Sequence, residues 1–203
     1  MKIKINCHSS ICVNGEIYFD PFRLPENSPK AKVIFVTHTH YDHLSMEDIN
    51  KIVDENTTIV ATRDATALEQ VPCKQLIFVS PNEKLTVSGL AVSTFSAYNK
   101  DKPFHKKEFG WVGYKITIAG ETLIVVGDSD ATDELKKQKC DILMIPIGGT
   151  YTMNAEEASE VTNIIKPKIV IPTHYGEIVG KKSDAKTFKK LVDSSINVQI
   201  LIK

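Results

Sequence analysis

Side chains of the types that bind metal ions lie close together early in the chain. The segment 38–43, with the sequence HTHYDH, contains three of the six histidines of the protein and follows directly after the apolar run 33–36. Imidazole and carboxylate groups are ligands that divalent cations such as zinc accept. A strand that ends abruptly can place such side chains in one small volume. The segment therefore predicts a metal site formed by His38, His40, Asp42 and His43.

Two later polar residues follow apolar runs in the same way. Asp128 comes after the run 123–126 and Gly127, and His174 comes after the run 169–171, Pro172 and Thr173. Ligands so far apart in sequence cannot form a local site. They can meet if strand ends from two halves of a fold converge on one cleft. We therefore expect Asp128 and His174 to join the segment 38–43.

The pattern of apolar and polar residues predicts the elements that must position these side chains. Alternating or continuous apolar runs bounded by turn residues predict strands. Helical periodicity with start and stop signals predicts five helices. The predicted strands are 2–6, 11–13, 17–20, 33–37, 58–61, 75–79, 90–95, 112–118, 122–126, 142–147, 169–172 and 198–202. The predicted helices are 45–54, 63–70, 131–139, 155–165 and 184–193.

The sequence also predicts where helices begin and end. Ser45 and Asn154 each precede an acidic residue by three positions, which is capping-box spacing. Asp130 has the same spacing relative to Asp133, so we expect Asp130 to cap a helix that begins at Ala131. Pro167 disfavours helical geometry at the preceding residue and should end the helix 155–165.

The composition is typical of a compact protein of one domain, residues 1–203. The chain is 42% hydrophobic, and its 25 Lys and Arg balance 25 Asp and Glu. This balance gives no global attraction to nucleic acid or an anionic membrane. The N-terminus lacks a signal-peptide pattern and no run reaches membrane-spanning length, so we expect a cytoplasmic protein. The four widely spaced cysteines should be free thiols, and we expect Cys7 to be a small buried side chain and not a ligand.

The motifs resemble those of the metallo-beta-lactamase-fold hydrolases. HTHYDH matches the HxHxDH motif of that family, and Gly127-Asp128 and Thr173-His174 match its later aspartate and histidine motifs. The segment 7–10 followed by 18–21 is similar to the start of a small bacterial and archaeal branch that includes the ascorbate-6-phosphate lactonases. The resemblance covers nearly the whole chain. It implies an α/β fold, a four-layer αββα sandwich with a two-metal cleft at the edge of its sheets.

The resemblance also implies a ligand set. One metal ion would be bound by His38, His40 and a third histidine. The other would be bound by Asp42, His43 and His174, with Asp128 bridging the two ions. The position of the third histidine corresponds to Asn99, an amide that is a weaker zinc ligand than imidazole. His105, six residues later, is the alternative, if it is not merely a solvated loop residue.

Several other residues have more than one interpretation. His8 could hydrogen-bond a ligand carboxylate or the substrate, or be a half-buried strand histidine, but we do not predict it as a ligand. Asp20 could fix the orientation of a ligand imidazole or cap a turn. The polar loop 97–113 should cover or border the cleft, and its lysines could bind an anionic substrate or simply be solvated. The segment 148–151 could bring backbone amides to the cleft or form a simple turn.

These observations predict a metal-dependent hydrolase of a small ester, lactone or phosphodiester. We expect one or two Zn²⁺ ions, with Mn²⁺ or Fe²⁺ as alternatives, to activate a water molecule. Asp42 is the predicted general base. The chain lacks the serine elbow and the glycine-rich phosphate and dinucleotide motifs. Two alternatives are a nuclease, which the neutral charge disfavours, and a metal sensor or scaffold weakened in catalysis by Asn99.

Overall fold

A computed structural model describes residues 1–202 and contains two β-sheets with helices on their outer faces. The first sheet holds six strands in the order β1-β2-β3-β4-β5-β6. Its first three strands pair antiparallel, and β3 to β6 pair parallel. The strands are β1 Ile3–Ile5, β2 Ile11–Val13, β3 Ile17–Phe19, β4 Val33–Phe35, β5 Thr58–Thr62 and β6 Gln75–Val79.

The second sheet holds seven strands in the order β13-β12-β11-β10-β9-β8-β7. Strands β10 to β13 pair parallel, and β7 to β10 pair antiparallel. The strands are β7 Lys84–Val87, β8 Leu90–Ser96, β9 Val112–Ile118, β10 Glu121–Val125, β11 Ile142–Pro146, β12 Ile169–Thr173 and β13 Asn197–Val198.

Three apolar cores separate four layers. Phe19 and Phe35 of the first sheet pack with Tyr114 of the second in the core between the sheets. A second core joins the outer face of the second sheet to the helices α2 Asp133–Lys136, α3 Ala155–Ile165 and α4 Asp184–Leu191. A third joins the outer face of the first sheet to α1 Met46–Ile52. The predicted αββα sandwich is confirmed.

The strand pattern explains how both sheets are buried on two faces. Along β11, Ile142 and Met144 belong to the core between the sheets, whereas Leu143 and Ile145 belong to the core under the helices. Successive side chains of a strand point to opposite faces. A strand covered on both faces therefore has a continuous apolar sequence, as β11 does.

The caps confirm the predicted starts of two helices and the predicted end of one. Asn154 and Glu157 form a complete capping box at the start of α3, and Lys166 ends that helix in the left-handed conformation before Pro167. The Ser45 side chain accepts a hydrogen bond from the Asp48 amide. The Asp48 carboxylate accepts hydrogen bonds from the amides of Arg23 and Leu24.

Four predictions of elements are wrong. Asp130 does not begin a helix at Ala131: the helix begins at Asp133, and Thr132 caps it through a hydrogen bond from the Leu135 amide. The predicted helix 63–70 is a 3-10 segment, Thr66–Gln70. Strand β7 is missing from the prediction, and the last strand is only Asn197–Val198.

Within residues 1–202, no helix has the length and apolar character needed to cross a membrane.

Candidate metal centre

The predicted ligands lie in loops that follow strand ends on one rim of both sheets. The segment 38–43 follows β4 of the first sheet, and Asp128 and His174 follow β10 and β12 of the second. A hydrogen bond from the Val112 amide to the Thr37 carbonyl, 3.2 Å long, connects the two sheets at this rim. Parallel strands present their carboxyl ends at the same edge, so residues distant in sequence meet here.

Four side chains form the group that we name cluster A: His38, His40, His105 and Asp128. Each offers one ligand atom, and these atoms lie within 4.8 Å of one another. His38 Nε2 is 3.2 Å from His40 Nδ1, and His105 Nε2 is 3.2 Å from Asp128 Oδ2. His40 is half-buried and the other three are buried. Cluster A thus has three imidazoles and one carboxylate.

Four further side chains form cluster B: His8, Asp42, His43 and His174, all buried. Their ligand atoms also lie within 4.8 Å of one another. Asp42 Oδ2 is 3.1 Å from His8 Nε2, 3.7 Å from His43 Nε2 and 3.8 Å from His174 Nε2. The two clusters contain every histidine of the chain.

Asp128 lies between the clusters. Its Oδ2 is 3.2 Å from His105 Nε2 in cluster A and 2.9 Å from His174 Nε2 in cluster B. Its Oδ1 is 3.4 Å from His43 Nε2. One carboxylate therefore contacts imidazoles of both groups, which is the arrangement expected for a bridging ligand.

His105, not Asn99, occupies the position of the third histidine. Asn99 Oδ1 lies 2.9 Å from His105 Nδ1 and accepts a hydrogen bond from the His105 amide. The Asn99 side-chain amide donates to Asp130 Oδ1 and to the Tyr151 carbonyl. Asn99 thus holds the loop and the ring of His105 in place. The predicted ligand set contains neither His105, which was only the alternative to Asn99, nor His8, which was not predicted as a ligand.

Asp20 fixes one imidazole of cluster B, as the first of its two interpretations requires. Its Oδ2 accepts a hydrogen bond from His43 Nδ1 at 2.8 Å, and its two oxygens accept from the Thr37 amide and hydroxyl. A carboxylate at Nδ1 keeps the proton on that nitrogen. Nε2 of His43 is therefore the atom directed toward Asp42 and Asp128.

Trp111 covers cluster A. Its ring lies 4.8 Å from those of His38 and His40, and its indole N–H donates to Asp64 Oδ2 at 2.8 Å. The Thr39 hydroxyl donates to the same oxygen. Asp64 therefore ties the histidine segment to the loop 97–113. No pattern in the sequence indicates this role of Asp64, because the contact joins two loops.

Burial and charge set the protonation of the centre. Burial lowers the pKa of His40 and lowers that of His38 well below its usual value. Burial also opposes the charged form of His43, but the carboxylates of Asp128 and Asp20 outweigh it and raise the pKa of His43 to about 9. Burial opposes ionisation of Asp42, but contact with His8 and the charge of His43 lower its pKa to about 2.

The donor set fits divalent cations. Within the described residues, the buried side-chain nitrogens and oxygens without a hydrogen-bond partner all belong to these clusters, except the Tyr175 hydroxyl. They include Nε2 of His43, His105 and His174 and Oδ1 of Asp128. An unpaired buried polar atom costs about 1–3 kcal/mol. Metal ligation would satisfy such atoms, and imidazole with carboxylate suits zinc, iron or manganese.

The remaining predicted features lie outside the clusters. Cys7 is buried, and burial raises the pKa of its thiol to about 11; all four cysteines are free. The Gly149 amide donates to the Met153 carbonyl and the Thr150 amide to the Gly148 carbonyl, so the chain bends there and both amides are used within this part of the chain. In the loop 97–113, Lys102 pairs with Asp130 and Lys107 with Glu134, each at 2.6 Å.

Comparison with known proteins identifies the family to which this fold belongs. The family model described as Beta-lactamase superfamily domain matches residues 3–174. A UPF0173 metal-dependent hydrolase from Pyrococcus abyssi is 27% identical over 218 residues, covering 99% of this chain and 96% of the relative. Another from Staphylothermus marinus is 31% identical over 175 residues, covering 85% of this chain and 75% of the relative.

A solved structure gives the same result for the fold. Igni18, a metallo hydrolase from Ignicoccus hospitalis, superposes with a TM-score of 0.78 at 22% identity, covering 98% of this chain and 94% of that one. The architecture is that of the metallo-beta-lactamase-fold hydrolases. The chain belongs to the beta-lactamase superfamily, among the UPF0173 metal-dependent hydrolases. The predicted class of enzyme, a metal-dependent hydrolase, is confirmed.

Proposed function

We propose that the protein hydrolyses a small ester, lactone or phosphodiester with two divalent cations bound by clusters A and B. Zinc is the first candidate for both cations. The observation that carries the proposal is the concentration of unpaired buried imidazole and carboxylate atoms at one rim. Asp128 would bridge the two ions, since it contacts both clusters. Manganese and iron are alternatives for the same donors.

A bound divalent cation polarises a substrate oxygen and lowers the pKa of a bound water molecule to about 7. Protein groups position these partners. His38 and His40 are neutral at pH 7, because burial lowers their pKa, and can donate lone pairs directly. Asp42 is ionised, and its side chain is the most exposed of cluster B at 10%, so it can accept a proton at the edge of the cleft.

The side chains of the loop 97–113 indicate which of these substrate classes the site would favour. Three of the loop's four lysines, Lys102, Lys106 and Lys107, are each paired with a carboxylate. Beside the site, Phe104 is 40% exposed and packs edge-on against Tyr151, which is 37% exposed. Paired cations and exposed aromatic rings favour an uncharged ester or lactone over an anionic phosphodiester.

The hypothesis of a metal sensor depended on Asn99 as a weak ligand in place of histidine. The contacts of His105 argue against that premise. His105 lies in cluster A and Asn99 supports it through two contacts. The donor set of cluster A therefore has no weakened position.

The experiment compares turnover of nitrophenyl esters, lactones and a phosphodiester by zinc-loaded protein and by Asp42→Asn, with zinc content measured for each. We expect turnover of an ester or lactone, and a loss of about 10²–10⁴-fold in Asp42→Asn, the usual contribution of a general base. Asp141→Asn is the control, because Asp141 directly precedes β11 and so lies at the ends of the strands opposite to the site. Wild-type turnover by Asp42→Asn with full zinc content would contradict the role of Asp42, and no turnover of any substrate by the zinc-loaded protein would contradict the proposal.

A further inference from the structure

His8 lies inside cluster B, at a position that the sequence did not predict as a ligand. Its side chain is 0% exposed and its Nε2 is 3.1 Å from Asp42 Oδ2. Neither ring nitrogen of His8 has a hydrogen-bond partner. We propose that His8 binds the cation of cluster B directly through Nε2, so that three imidazoles, the Asp42 carboxylate and the bridging Asp128 carboxylate hold that ion. The proposal rests on the proposed function and adds a ligand to it.

The distances in cluster B suit ligands of one ion. Two ligand atoms about 2.0–2.2 Å from a zinc ion, at an angle of about 90–120° to each other, are about 2.8–3.8 Å apart. The three imidazole nitrogens lie 3.1, 3.7 and 3.8 Å from Asp42 Oδ2, within that range. The contact between His8 and Asp42 is short but misaligned for a hydrogen bond. An ion between them accounts for both properties.

The backbone holds His8 in an uncommon conformation that directs its ring into the cluster. His8 has a φ of 51° and His174 a φ of 58°. The His174 amide donates to the His8 carbonyl at 3.1 Å, and the two ring centroids are 3.7 Å apart. Left-handed backbone at a residue other than glycine costs about 1–3 kcal/mol and persists where the surrounding structure imposes it. Two such residues, hydrogen-bonded to each other, present their imidazoles side by side to Asp42.

The first test counts ligating imidazoles. Because every histidine of the chain lies in cluster A or B, protein labelled with ¹⁵N-histidine gives only signals from the centre. In protein loaded with ¹¹³Cd²⁺, each ligating nitrogen shows a coupling to cadmium. We expect couplings for His8 and for the other five histidines. Couplings to the five without His8 would overturn the inference alone, whereas no coupling at all would overturn the proposed metal centre as well.

The second test removes the imidazole ring of His8 by mutation and then supplies free imidazole in its place. His8→Gly should fold, because glycine adopts positive φ without strain. We expect Cd²⁺ affinity to fall by more than about 100-fold, above the range of about 10–100-fold for a residue that only orients a ligand. Free imidazole should restore the affinity by entering the vacated space.

A conservative variant and a neighbour complete the test. His8→Gln keeps a side-chain N–H donor for Asp42 but removes the imidazole, so its Cd²⁺ affinity should fall as in His8→Gly. Wild-type affinity in His8→Gln, or no response of His8→Gly to imidazole, would show that His8 only orients Asp42. Ser9→Ala, at an adjacent buried position outside both clusters, should bind Cd²⁺ as the wild type does.

Discussion

At the scale of single residues, Asp20 shapes the centre without lying in either cluster. It is fully buried, adopts a φ of 45° and accepts hydrogen bonds from Thr37 and from His43 Nδ1. The carboxylate both selects the tautomer of His43 and raises the pKa of that ring. The same residue would therefore orient His43 for a cation, and it also favours protonation of the ring that the cation would bind.

Asp20→Asn should weaken zinc binding by about 10–100-fold, the usual effect of removing the partner of a ligating histidine. The amide cannot act as the anionic acceptor for His43 Nδ1, so Nε2 is no longer fixed as the ligand atom. Zinc affinity measured by competition with a chromophoric chelator checks this expectation.

Asp141→Asn is a matched control for that change. Asp141 accepts hydrogen bonds from the amide and hydroxyl of Thr122, as Asp20 does from Thr37, but no histidine is involved. We expect Asp141→Asn to leave zinc affinity unchanged. Equal losses of affinity in both variants would mean that Asp20 acts through stability of the fold and not through His43.

The sequence predicted the residues whose spacing carries information, left His105 as one of two alternatives for the third histidine, and did not predict His8 as a ligand. His38, His40, Asp42 and His43 lie within six positions, and Asp128 and His174 follow apolar strands, so their convergence could be inferred. His105 reaches cluster A through a loop held by Asn99. His8 depends on a left-handed backbone next to His174, which no local pattern indicates.

At the scale of elements, the close packing of β11 and β12 positions His174. Gly148 follows β11, and a Cβ at that residue would overlap the His174 carbonyl oxygen and lie 3.3 Å from its Nδ1. Predicting this contact from sequence was not feasible, although the strands themselves were predicted, because it depends on how the loops after two strands approach. Strand β7 was missed for a different reason: its four residues, Lys84–Val87, pair at a sheet edge and are only partly buried, so their apolar pattern is weak.

Gly148→Ala should shift His174 and weaken cation binding at cluster B more than at cluster A. Relief of such an overlap displaces backbone and costs about 1–3 kcal/mol. Two ¹¹³Cd signals in the wild type, one for each cluster, would report the difference. Gly113→Ala, whose Cβ would overlap the Phe95 ring, should destabilise the fold and retain both signals. Loss of the cluster A signal in Gly148→Ala would contradict the assignment.

At the scale of the whole molecule, the centre joins the two sheets. Asp42 and His43 come from the loop after β4 in the first sheet, and Asp128 and His174 follow strands of the second. A cation bound across these loops links the two halves of the sandwich. A cation that binds the folded chain and not the unfolded one would stabilise the fold.

Zinc at about 100 times its Kd should add about 2.7 kcal/mol to the free energy of unfolding and raise Tm by about 5–10 °C, an effect that a chelator reverses.

The rise in Tm should depend on pH. The pKa of His43 is raised to about 9 in the folded protein. Its protonation therefore stabilises the metal-free fold fully below about pH 6.5, and this contribution is lost as pH rises toward 9. Zinc must displace that proton, so its affinity should fall by about tenfold for each pH unit below about 9.

Thermal unfolding with and without zinc at pH 6 and pH 8 checks both statements. At one zinc concentration, the rise in Tm should be smaller at pH 6, and Asp20→Asn should show a weaker dependence on pH because the carboxylate that raises the pKa of His43 is gone. Mg²⁺, which prefers an oxygen environment, is the control and should leave Tm unchanged. A rise of equal size at both pH values would mean that His43 does not exchange its proton for the cation, and the bond between Asp20 and His43 would then have only a structural role.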